Sequence, residues 1–74
     1  MIVLDAPIQQ DKIIDLLNGY NKDDVTFKFE KKQGIKLFFS TNQSDLDAAA
    51  EIAKKAIKAE SWGSVLYFRA QAAK

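Results

Sequence analysis

The sequence predicts a single α+β domain with the element order β-α-β-β-α-β. Three features predict it. Apolar residues recur every three or four positions in two separate stretches, and every second position in the stretches between and after them. A short turn holding Gly34 joins two alternating runs. An Ala-rich amphipathic segment then separates that hairpin from a last alternating run.

The first strand is Ile2-Val3-Leu4, β-branched and apolar, closed by Asp5 and Pro7. Pro7 suits the first turn of a helix, where its missing N–H has no partner to lose. Ile8, Ile13, Leu16, Leu17 and Tyr20 then form one apolar stripe, with Asp11, Lys12 and Asp15 on most of the opposite side. Asn18-Gly19 supplies a left-handed stop, so the expected helix spans about 7–18. Asp5 is expected to help cap it.

The polar stretch Asn21-Lys22-Asp23-Asp24 reads as a loop. Beyond it Val25, Phe27 and Phe29 alternate with Thr26, Lys28 and Glu30. Lys31-Lys32-Gln33-Gly34 reads as the hairpin turn. Ile35, Leu37 and Phe39 then alternate with Lys36, Phe38 and Ser40. Ser44 is the expected N-cap of the second helix, with Asp45 and Asp47 in its first turn. Leu46, Ala49, Ala50, Ala53, Ala56 and Ile57 form its buried stripe, and Lys54, Lys55 and Lys58 lie toward its negative end. That helix ends near Ala59 or Glu60, and Ser61-Trp62-Gly63 is the turn. Val65 to Arg69 is the expected last strand, followed by a frayed tail over 71–74.

This order is the split βαβ, or ferredoxin-like, arrangement. Right-handed crossovers give a four-stranded antiparallel sheet with the first and third strands central and two helices on one face. Residues 1–74 are expected to form that one domain. The other face stays uncovered and carries Val3, Thr26, Lys28, Glu30, Lys36, Phe38, Tyr67 and Arg69.

Composition narrows the function. The 74 residues carry 11 Lys+Arg against 10 Asp+Glu, a net charge of +1, so neither bulk attraction to nucleic acid nor a polybasic membrane anchor is expected. With no Cys and no His, there is no thiolate metal site, no cysteine nucleophile and no imidazole base. The carboxylate pairs Asp11/Asp15, Asp23/Asp24 and Asp45/Asp47 fall in loops, first turns or polar helix faces, where solvent keeps carboxylates ordinary. No EF-hand, P-loop, dinucleotide-binding or nucleophile-elbow pattern occurs among the three glycines. No catalytic residue, metal or cofactor is therefore expected. An acidic residue after three apolar ones, with no basic start, does not read as a secretory signal, and no apolar run nears the roughly 20 residues of a membrane span. A cytoplasmic protein is expected.

The one constellation left is the uncovered face. Phe38 and Tyr67 are aromatics on which bases can stack, and Lys28, Lys36 and Arg69 are cations that can meet phosphates, as in single-stranded nucleic-acid binding. RNA-recognition motifs use this element order in that way, but their third strand alternates aromatics where this chain has Ile35 and Leu37. ACT-like domains share the order and sense small molecules at dimer interfaces. The leading expectation is a non-catalytic binding module that self-associates as a homodimer through the open face or through the edge strand containing Val65 and Tyr67, with Trp62 as a further interface candidate.

Overall fold

The computed structural model describes residues 1–73. Its elements run β1 (Ile2–Asp5), α1 (Gln10–Asn18), β2 (Asn21–Lys22), β3 (Val25–Gln33), β4 (Lys36–Thr41), α2 (Leu46–Lys58), α3 (Ser61–Ser64) and β5 (Arg69–Ala72). The strands form one antiparallel sheet in the order β2-β3-β4-β1-β5. The sheet is curled into a half-barrel. This corrects the expected four-stranded ferredoxin-like sheet with two helices: the described residues form five strands and three short helices.

The fifth strand comes from the segment expected to be a loop. Asp23 and Asp24 both take positive φ, 54° and 64°, so a two-residue turn of the primed type folds Asn21-Lys22 back on Thr26 and Val25. Aspartate tolerates that region better than most residues, which is why two of them can occupy it. The second hairpin is tighter than expected. Lys31, Lys32 and Gln33 belong to β3, and only Gly34-Ile35 lies between Gln33 and its partner Lys36. Gly34 takes φ 59° at the first turn position, where a two-residue hairpin needs positive φ. Ile35 is thereby carried out of the core and is 50% exposed.

β3 is irregular between Phe29 and Lys31. Phe29 lies opposite Phe39, yet Lys31 lies opposite Phe38, so Glu30 is an extra residue. A bulge of this kind bends its strand and strengthens its twist, consistent with the curl of the sheet.

α1 starts three residues later than expected. Ala6 N–H donates to Ile35 O at 2.8 Å, which extends the β1 pairing past Asp5 and keeps Pro7 and Ile8 out of the helix. Gln9 precedes the helix at φ 60°, and Ile8 is 62% exposed rather than part of the stripe. Gln10 Nε2 donates to Ala6 O (2.8 Å) and Gly34 O (3.1 Å), tying the helix start to both ends of the sheet junction. At α2 the cap is Asp45, whose Oδ1 accepts the Ala48 N–H at 3.2 Å, not Ser44.

The expected last strand is displaced. Ser61–Ser64 closes into a short helix, and the chain reaches β1 only at Arg69. Leu66 is buried and Phe68 half-buried, as their alternation implied, but through a loop laid against the core rather than through strand pairing. Lys58 Nζ donates to Leu66 O at 3.0 Å and lies 5.2 Å from the Phe68 ring centre, which holds that loop to α2. Gln71 and Ala72, expected in a frayed tail, pair with Val3 and Ile2; Lys74 lies outside the described residues.

The core lies between the sheet and α1 and α2. Ile2, Leu4, Phe27, Leu37 and Phe39 point into it from the sheet, and Ile13, Leu17, Ala49, Ala50, Ala53 and Ile57 meet them. Phe29 meets Phe39, and Tyr20 meets Phe27, edge to face at 5.5 Å between ring centres. The alanines of α2 let the helix approach β1 and β5 closely.

Candidate functional site

The pairing registers arrange the open face in rows. In the first, Val3 stands between Phe38 on β4 and Gln71 on β5, and Lys31 lies beyond Phe38. Val3 is buried although no helix covers this side, standing between the larger Phe38 and Gln71. Lys31 Nζ lies 5.0 Å from the Phe38 ring centre and occupies one face of the ring. In the second row Asp5 stands between Lys36 and Arg69, and Lys36 Nζ pairs with Asp5 Oδ1 at 3.1 Å. Asp5 is therefore a sheet residue rather than a helix cap. In the third row Ser40 lies opposite Lys28, and Ser40 Oγ donates to Glu30 Oε2 at 2.7 Å.

Of the five candidate residues, the fold brings Lys36 and Arg69 together across Asp5 and leaves Lys28 two rows away. Phe38 is half-buried in the middle row. Tyr67 is in no strand. It precedes β5 and is 90% exposed, about four residues, or roughly 13 Å, further along the strand direction than Phe38. The two aromatics do not make one platform. Tyr67 instead borders a hollow of about 340 Å³ with Asp5, Pro7, Ile35, Phe68 and Arg69. Trp62 is half-buried on α3 against the core, with Lys12 Nζ 5.8 Å from its ring centre.

Sequence reasoning missed Lys31, because the bulge that turns it onto this face leaves no periodic trace. The expected pairing edge of the last strand, at Val65 and Tyr67, also shifts, because both residues lie before β5. The β3 edge is shielded: β2 pairs with Val25 and Thr26, Asn18 Oδ1 accepts the Phe29 N–H at 2.8 Å, and beyond the bulge the remaining length carries exposed Lys31 and Lys32. At the other edge, Ala73 N–H donates to Met1 O at 2.9 Å. Antiparallel pairing alternates, so residues 69, 71 and 73 turn their main-chain groups to β1, and Ala70 and Ala72 turn theirs outward. Among the described residues nothing accepts from or donates to that outer side.

Comparison of the chain with family models, curated proteins and solved structures gives no match. Among the described residues, no three acidic side chains come together as a metal site would require, and no helix is long and apolar enough to cross a membrane.

Proposed function

We propose that this chain is a non-catalytic, cytoplasmic binding module that self-associates through the outer edge of β5. The observation that carries this reading is the asymmetry of the two sheet edges. One is covered, bonded, bulged and lysine-bearing, whereas β5 offers the free main-chain groups of Ala70 and Ala72 behind small side chains. The segment leading into β5 adds apolar surface, with Val65 85% and Tyr67 90% exposed. Single-stranded nucleic-acid binding is the weaker reading, because Lys31 covers one face of Phe38 and Tyr67 stands apart from it. Small-molecule sensing drew on the ACT-like element order, from which the fifth strand and third helix depart.

The test is solution mass by light scattering at low and high protein concentration, on the natural chain and on Ala70→Pro. Proline at position 70 removes an outward N–H and no bond to β1. A dimer that becomes a folded monomer with Ala70→Pro supports the reading. A natural chain that stays monomeric at both concentrations overturns it. Hydrogen exchange on the natural chain needs no variant. The Ala70 and Ala72 amides should exchange at least about tenfold more slowly in the dimer, and unprotected amides in a dimer would move the interface elsewhere.

A further inference from the structure

Four of the five exposed charges of α2 form a self-complementary pattern. Asp47, Glu51, Lys54 and Lys58 are separated by four, three and four residues, so they form one exposed stripe along the helix. The apolar stripe of Ala49, Ala50, Ala53 and Ile57 faces the sheet. On one flank Ile52 and Ala56 look toward Tyr20 and Lys22. The charged stripe lies on the other flank, and Lys58, its last member, reaches Leu66 O and the Phe68 ring at the entry to β5. α2 packs on β5, so the stripe runs along the side of the molecule that ends in the open edge.

The signs are antisymmetric along the helix. Glu51 and Lys54 are equidistant from a point between Ile52 and Ala53, as are Asp47 and Lys58, with both acids before it and both lysines after it. Favourable interaction with the helix dipole accounts for acids early and bases late. Lys55, the remaining exposed charge of α2, lies with Ile52 and Ala56 toward the other flank, which leaves these four beside β5. None of the four is in an ion pair; among the described residues the one ion pair is Asp5–Lys36.

We infer that the partner at this edge is a second copy of the chain related by a two-fold axis, with the α2 charge stripe as its recognition surface. The inference rests on the β5 reading above. Antiparallel pairing of Ala70 with Ala72 of the second copy supplies main-chain bonds in both directions, which a two-fold axis near Gln71 satisfies. The same axis reverses α2 relative to its copy. With that axis passing α2 level with Ile52 and Ala53, each acidic half-stripe runs beside a basic one, Glu51 near Lys54 and Asp47 near Lys58. A parallel or head-to-tail partner would set like charges side by side or leave the stripe unmatched. The arrangement closes at two copies, because the pairing uses the same β5 edge of both chains.

The test is mixing of two charge variants. In Glu51→Lys both central positions of every copy are basic, and in Lys54→Glu both are acidic. Each variant alone should dimerise about tenfold more weakly than the natural chain, since every two-fold contact becomes a repulsion. Equimolar mixing should restore association to within about threefold of the natural chain, because each copy then meets its opposite. Circular dichroism on the separate variants checks that both remain folded, and the mixing readout does not depend on small stability changes within one helix. If the natural chain is a dimer that Ala70→Pro dissociates, but mixing restores nothing, the two-fold charge match is overturned and the edge reading stands. If each variant alone dimerises as tightly as the natural chain, the inference is likewise overturned. If the natural chain is monomeric, the edge reading fails as well.

Discussion

Asn18 at the end of α1 accepts the Phe29 N–H through its Oδ1 at 2.8 Å, so a helix terminus closes the outer edge of β3. The bond reaches the strand just before its bulge, where pairing with β2 has already ended. Asn18→Ala should lower stability by about 1 kcal/mol, the net worth of one hydrogen bond, and lower the melting temperature by roughly 4–8 °C. Phe29 amide exchange should quicken at the same time. Asn18→Asp retains an acceptor and should lose less. A Phe29 amide that exchanges equally fast with and without Asn18 would show that the bond does not form in solution.

Gly63 should tolerate no side chain. A Cβ there would run into the Ile57 backbone carbonyl, and Ile57 is itself fully buried in the core. Gly63→Ala must push α3 away from the end of α2 and should destabilise by about 3 kcal/mol, at the upper end for overpacking. Urea unfolding checks this. A change under about 1 kcal/mol would mean that α3 sits further from Ile57 than described.

Two turn positions should respond in opposite directions. Gly34 has open space around its Cα but φ 59°, so Gly34→Ala costs roughly 1–2 kcal/mol through backbone strain alone. Gln9 holds a similar φ of 60° with a side chain, so Gln9→Gly should be neutral or stabilising by up to about 1 kcal/mol. Thermal melts of the two variants give the comparison directly.

Neighbouring residues on β4 should differ sharply because they face opposite sides. Leu37 is fully buried among the core residues, and Leu37→Asp should unfold the domain by leaving a charge without a partner. Phe38 is half-buried on the open face, so Phe38→Ala should leave a folded protein with a loss of about 1–2 kcal/mol. Near-ultraviolet and far-ultraviolet circular dichroism separate the two outcomes, and a folded Leu37→Asp would reverse the assignment of faces.

The small exposed ion pair between Lys36 and Asp5 should matter little. Lys36→Gln removes a 3.1 Å contact between side chains that both retain solvent access, so stability should change by less than about 1 kcal/mol. A larger loss would mean that Asp5 needs the lysine to sit between two strands.

The sequence by itself determined the alternation of Phe27, Leu37 and Phe39 into the core, the amphipathic stripe of α2, and the inward side chains of Leu66 and Phe68. Burial follows local periodicity, and periodicity survives whatever the backbone bonds to. Lys36, Phe38 and Arg69 were legible as outward residues for the same reason. Tertiary structure alone decided the fifth strand, the bulge at Glu30, the late start of β5 and which sheet edge stays open. Each of these depends on which distant main-chain group finds a partner: Asp23-Asp24 closing a hairpin, Ala6 bonding Ile35, Asn18 capping Phe29. Main-chain pairing carries no side-chain period, so no local pattern records it.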